Sequence, residues 1–140
     1  MESEEKVRVK VKKRLHIDNK RLVNSFRYAW LGILQTYKGE QNLKIHTFIA
    51  ILVVVFGFFL KISTLEWFVC FILIGLVLMA EFFNTAIEYV VDLASPEVHP
   101  LAKAAKDTAS AGVLMMAIIS AGIGLVIFIP KIIAYIGELL

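Results

Sequence analysis

Four polar side chains recur at helical spacing in an otherwise apolar stretch: Glu81, Asn84, Glu88 and Asp92. The intervals are three, four and four residues. At about 100° per residue these side chains share an arc of about 80° on one helix face and run along it for about 16 Å. Phe82, Phe83, Ile87, Val90 and Val91 fall on the other faces. Ionised carboxylates are costly to bury in hydrocarbon, so acids within a membrane helix are functional candidates by default. Carboxylates suit Mg²⁺, a hard cation that prefers oxygen and shares its coordination shell with substrate phosphates. A further carboxylate can take the proton from an attacking hydroxyl. Two other uses of the same stripe stay open at this point. It could line an ion or proton conduit, or it could pair with bases on neighbouring helices in an assembly subunit.

A second constellation follows: Lys103, Lys106 and Asp107, then Ala109, Ser110, Ala111 and Gly112. Lys106 is a natural counter-charge for a phosphate chain or for Asp92. The small residues, continued by Ala117 with Ala121 and Ser120 with Gly124, let another backbone approach closely, and helix packing accounts for them. Two carboxylates for a metal, a lysine for a triphosphate and one carboxylate as base form the set that phosphoryl transfer requires. Neither G-x-x-x-x-G-K-[ST] nor G-x-G-x-x-G occurs, which excludes the P-loop and the protein-kinase fold. His16, His46 and His99 lack zinc-site spacing, and Cys70 is the single cysteine, so no intrachain disulfide can form.

The elements that must hold these groups are set by composition. Hydrophobic residues make up 59% of 140 residues, and the mean hydropathy is +0.75. Soluble domains average about 45–50% apolar residues, and a chain this short cannot hide the excess in its own core. Three apolar runs are expected to span a bilayer, over about 43–61, 65–93 and 100–130, with Pro130 marking the end of the last. Before them, from 19 to about 37, Leu22, Phe26, Ala29, Trp30, Ile33, Leu34 and Tyr37 recur every three or four residues, the pattern of an amphipathic helix lying in the interface. Residues 1–18 read as a basic, mobile tail near anionic headgroups. Eleven of the fifteen Lys and Arg lie in residues 1–44. The positive-inside rule then places the N-terminus and the 93–107 segment in the cytoplasm. The expected fold is all-α and integral to the membrane: three spans preceded by one surface helix.

Glu81-x-x-Asn84-Thr85-Ala86-Ile87-Glu88-x-x-Val91-Asp92, followed by Ala105-Lys106-Asp107-x-Ala109-Ser110-Ala111, resembles the prokaryotic diacylglycerol kinase family of small trimeric membrane kinases. The resemblance covers about residues 20–130. Phe26-x-Tyr28-Ala29-x-x-Gly32 and Glu40-x-Asn42-x-Lys44-Ile45-His46 are similar to the Gram-positive branch, which phosphorylates undecaprenol in preference to diacylglycerol.

The resemblance implies roles for the matching positions. Glu81 would be the general base that activates the lipid hydroxyl. Glu40 and Glu88 would hold the Mg²⁺ that bridges the ATP phosphates. Lys106 and Asp107 would contact the nucleotide, with Asn84 and Asp92 supporting the site. Arg21, Tyr28 and the loop Glu97-Val98-His99 match positions lining the ATP pocket, and Ser110 matches one near the lipid. The resemblance also implies a homotrimer in the bacterial plasma membrane, ATP as phosphate donor, and either undecaprenol or diacylglycerol as acceptor. Three thin spans are not expected to enclose a site alone, so residues from two protomers would build it.

Overall fold

The computed structural model describes residues 19–139, and all of its regular structure there is helical. The basic tail at 1–18 lies outside the described residues. Four helices follow in order: α1 (Asn19–Gly39), α2 (Gln41–Phe59), α3 (Thr64–Ala94) and α4 (Pro100–Leu139). The chain falls into two compact units, one ending at Lys38 and the other beginning at Gly39.

The first unit contains α1. Two hydroxyls return to the main chain one turn back: Ser25 Oγ donates to the Arg21 carbonyl at 2.9 Å, and Thr36 Oγ1 to the Gly32 carbonyl at 3.0 Å. Its large apolar side chains Leu22, Phe26 and Trp30 are exposed.

In the second unit, α2, α3 and α4 are each long and apolar enough to cross a membrane. Little of them is covered within the chain: 11%, 17% and 6% of their most apolar windows are buried. Exposed leucine, isoleucine and phenylalanine on this scale need lipid or another protein around them. α3 packs chiefly on α4 and also on α2.

Glu40 is the one non-helical residue between α1 and α2, held extended at φ −97° and ψ 119°. The turn after α2 is a Schellman motif. The Ile62 N–H donates to the Gly57 carbonyl at 3.1 Å and the Lys61 N–H to the Phe58 carbonyl at 3.3 Å. Lys61 sits in the left-handed position at φ 50°. Two residues on, Ser63 starts α3 with a reciprocal cap. The Ser63 N–H donates to Glu66 Oε2 at 2.6 Å, and the Glu66 N–H to Ser63 Oγ at 3.3 Å. At the other end of the connection, Pro100 opens α4, where a proline's missing N–H costs nothing.

Pro130 does not end α4. The helix continues through it to Leu139. An interior proline costs a helix about 3 kcal/mol, so neighbouring contacts must override it. Lys131 Nζ lies 3.0 Å from a Glu66 carboxylate oxygen on α3. One turn later the Tyr135 ring meets the Phe59 ring of α2 edge-on, with centroids 5.1 Å apart. Both contacts pin the turns beyond the proline to the other helices.

Candidate active site

The acid ladder faces the helix packing. Glu81 is 1% exposed, Thr85 2% and Asn84 6%, so the deepest rungs are enclosed by one chain. On α2, Leu43 (fully buried), His46, Ala50, Val53 and Gly57 recur at helical spacing and mark the packed face, and His46 is the member of this stripe that reaches Glu81. His46 Nε2 comes to 3.2 Å from Glu81 Oε1. The approach is not an aligned hydrogen bond. Among the described residues Oε1 has no hydrogen-bond partner. The Thr85 hydroxyl donates to the main-chain carbonyl of Glu81 at 3.1 Å, which leaves the carboxylate to His46.

Further along α3, Asn84 divides its amide between two neighbours. Its Nδ2 donates to Glu88 Oε1 at 2.9 Å, and its Oδ1 accepts from the Ser110 hydroxyl of α4 at 3.4 Å. Glu40 and Glu88 both lie within electrostatic reach of Glu81, and Glu88 within reach of Lys106. The end of the ladder is closed by Lys106 Nζ, 2.5 Å from Asp92 Oδ1. Along one face of α3, beyond Glu81, hydrogen bonds link Asn84 to Glu88 and Ser110, and an ion pair links Asp92 to Lys106.

Other expected site residues are arranged differently. Asp107 pairs with Lys103 at 2.5 Å along the exposed side of α4. Glu97, Val98 and His99 lie on the exposed segment between α3 and α4. There His99 caps the helix, its Nδ1 accepting from the Leu101 N–H at 3.2 Å. Arg21 and Tyr28 stand on α1 in the first unit, with Tyr28 exposed.

For a metal, no cluster of three or more His, Cys, Asp or Glu that could hold an ion occurs among the described residues. Glu40 and Glu88 offer two carboxylates beside the same buried acid. That set fits Mg²⁺, which takes one or two protein carboxylates and completes its shell with phosphate oxygens and water.

On the other side of His46 the surroundings change character. A half-open groove of about 420 Å³ runs between α2, α3 and α4, floored by residues such as Val53, Leu73, Val77 and Phe128. His46 lies in its wall, and so does Ser120, whose buried hydroxyl has no partner among the described residues. Glu81 itself does not line the groove; His46, 3.2 Å from its carboxylate, does.

The family model for prokaryotic diacylglycerol kinase matches residues 27–128. The chain belongs to this family. Among its relatives, the undecaprenol kinase of Bacillus subtilis is 46% identical over 112 residues, covering 80% of this chain and 91% of that protein. The diacylglycerol kinase of Synechocystis is 36% identical over 114 residues, 81% of this chain and 65% of that protein. That of Escherichia coli K12 is 30% identical over 100 residues, 71% and 82% respectively. Like these members of the prokaryotic diacylglycerol kinase family, the chain is a lipid kinase.

The contact of His46 with Glu81 was not expected from the sequence: His46 shares the period of Leu43, Ala50 and Val53, which puts it on the packed face of α2 without naming the residue it meets.

Proposed function

We propose that this protein transfers the γ-phosphate of ATP to the hydroxyl of undecaprenol, with Mg²⁺, in the bacterial plasma membrane. The observation that carries the reading is the contact of the buried Glu81 carboxylate with His46, which lines the apolar groove. A lipid alcohol can lay its chain in the groove and raise its hydroxyl to that carboxylate without leaving the bilayer.

In the proposed reaction the acceptor oxygen forms a bond to the γ-phosphorus as the bond from phosphorus to the β,γ-bridging oxygen breaks. The hydroxyl proton passes to Glu81, and ADP departs. Lys106, at the open end of the cluster, neutralises phosphate charge, and Asp92 keeps its ammonium aimed there. Mg²⁺ held by Glu40 and Glu88 would screen the negative charge on the phosphates. Asn84 orients Glu88 through its amide. Catalysis here is mainly positioning and charge stabilisation.

The concentration of Lys and Arg before residue 45 and in the α3–α4 connection supports a cytoplasmic N-terminus and a cytoplasmic site. The exposed apolar side chains of α1 suit a helix lying in the interface, and Arg21, Tyr28 and the 97–99 segment are assigned to the nucleotide. The bare flanks of the three spans support a homotrimer.

Diacylglycerol is the second acceptor to test, because several relatives are named as its kinases. The deciding experiment presents each lipid in mixed micelles to the purified protein with labelled ATP. Faster transfer to undecaprenol supports the proposal, and faster transfer to diacylglycerol reassigns the acceptor. A Glu81→Gln enzyme that keeps its rate removes Glu81 as the base.

A further inference from the structure

Glu81 lacks support from its own helix. The Thr85 hydroxyl is spent on a main-chain carbonyl, and the Asn84 amide is spent on Glu88. Among the described residues, the ionisable groups that act electrostatically on the carboxylate are His46, Glu40 and Glu88. Two of these three repel it. A buried carboxylate flanked by acids needs a donor to fix its orientation.

His46 has the geometry for that task. Its ring nitrogen is 3.2 Å from Glu81 Oε1, close enough that a small rotation of the imidazole aligns an N–H with the oxygen. The α2 backbone beneath it is anchored by Leu43, fully buried three residues earlier. The neighbouring Thr47 hydroxyl donates to the Leu43 carbonyl at 2.8 Å. The same imidazole borders the apolar groove. A hydroxyl rising from the groove toward Glu81 therefore passes His46.

We propose that His46 is a positioning residue, whose Nε2–H holds the Glu81 carboxylate at the head of the apolar groove so that its free oxygen meets the acceptor hydroxyl. The proposal rests on the reading of Glu81 as base. Nothing in it requires His46 to exchange a proton with substrate.

The test compares three variants, His46→Phe, His46→Gln and Glu81→Gln, by steady-state kinetics on undecaprenol in micelles, with melting temperature as the check on folding. His46→Phe keeps a planar ring and loses the donor. Its kcat is expected to fall about tenfold to a hundredfold, the effect of one lost hydrogen bond to a charged group, with KM for ATP unchanged. His46→Gln restores an N–H donor and is expected to recover most of kcat. If Glu81→Gln is inactive while His46→Phe keeps its kcat, the positioning role falls and the base stands. If Glu81→Gln is active, the base falls and the positioning role with it. Should His46→Phe fail to fold, a folded His46→Gln enzyme with near-normal kcat supports the role. A His46→Gln enzyme as slow as Glu81→Gln overturns it.

Discussion

Lys106 Nζ lies 2.5 Å from Asp92 Oδ1, tying the second turn of α4 to the last turn of α3. The Asp92 side chain remains 62% exposed, so solvent screens the pair and its worth to folding is small. Its value is directional, because the ammonium is held beside Glu88 at the open end of the cluster. Lys106→Met is expected to raise KM for ATP about tenfold or more, the loss of one charge-assisted contact to phosphate. Asp92→Asn frees the lysine without removing it and should raise KM by less. An ATP titration on both variants checks this, and the idea fails if Asp92→Asn is the worse of the two.

Asn84 joins the site to the helix packing, and its two bonds differ in quality. The 2.9 Å bond to Glu88 Oε1 is well formed, whereas the 3.4 Å contact from Ser110 is near the limit. Asn84→Leu removes the donor from a half-buried carboxylate. It should lower stability by about 1–3 kcal/mol and raise the Mg²⁺ concentration needed for half-maximal activity. Ser110→Ala should change either quantity little. Metal titrations with thermal melts of both variants separate the two bonds. Equal losses from both would show that the longer contact matters as much.

The order of these effects also shows how far the sequence could be read. A repeat of three, four and four along a helix fixes which side chains share a face, so Glu81, Asn84, Glu88 and Asp92 were expected together. Apolar run length located the first two spans and the start of the third to within a few residues, while the third runs nine residues past its expected end. Two features depend on contacts between distant segments and left no local mark. Pro130 looks like a terminator in any window of sequence, and the contacts that override it come from Glu66 and Phe59. The partner of Glu81 lies on α2, 35 positions earlier, and periodicity within one helix cannot name a residue on another. The groove is likewise a property of three helices at once.

The loop between α2 and α3 holds a measurable defect. Lys61 occupies the left-handed position of a Schellman turn at φ 50°, where a side chain crowds its own backbone. A lysine there costs about 1–2 kcal/mol relative to glycine, offset in part by glycine's larger entropy when unfolded. Lys61→Gly is therefore expected to stabilise the protein by somewhat under that amount, raising its melting temperature in detergent with turnover unchanged. Lys61 is exposed and forms no ion pair among the described residues, so a loss of turnover in this variant would contradict the assignment of this loop to structure alone.

Four residues before that turn the opposite situation holds. Gly57 is buried against α3, and a methyl group built on it would come 2.7 Å from Trp67 Cη2, 3.0 Å from Trp67 Cζ2 and 3.1 Å from Ile62 Cδ1. The indole has little room to retreat. The Phe58 ring lies 4.8 Å from it by centroid, and the Phe71 ring stacks at 5.3 Å. Alanine gains about 1 kcal/mol over glycine in helix propensity, while overpacking a close contact costs about 1–3 kcal/mol. Because the obstacle is an aromatic ring braced by two others, the steric cost should win. Gly57→Ala is expected to melt at lower temperature than the parent, and Gly57→Leu lower still. Shortening the obstacle by Trp67→Leu in the Gly57→Ala background should recover part of the Gly57→Ala loss when compared with Trp67→Leu alone. A Gly57→Ala protein that melts at or above the parent temperature would mean that α2 and α3 can part at this point without cost.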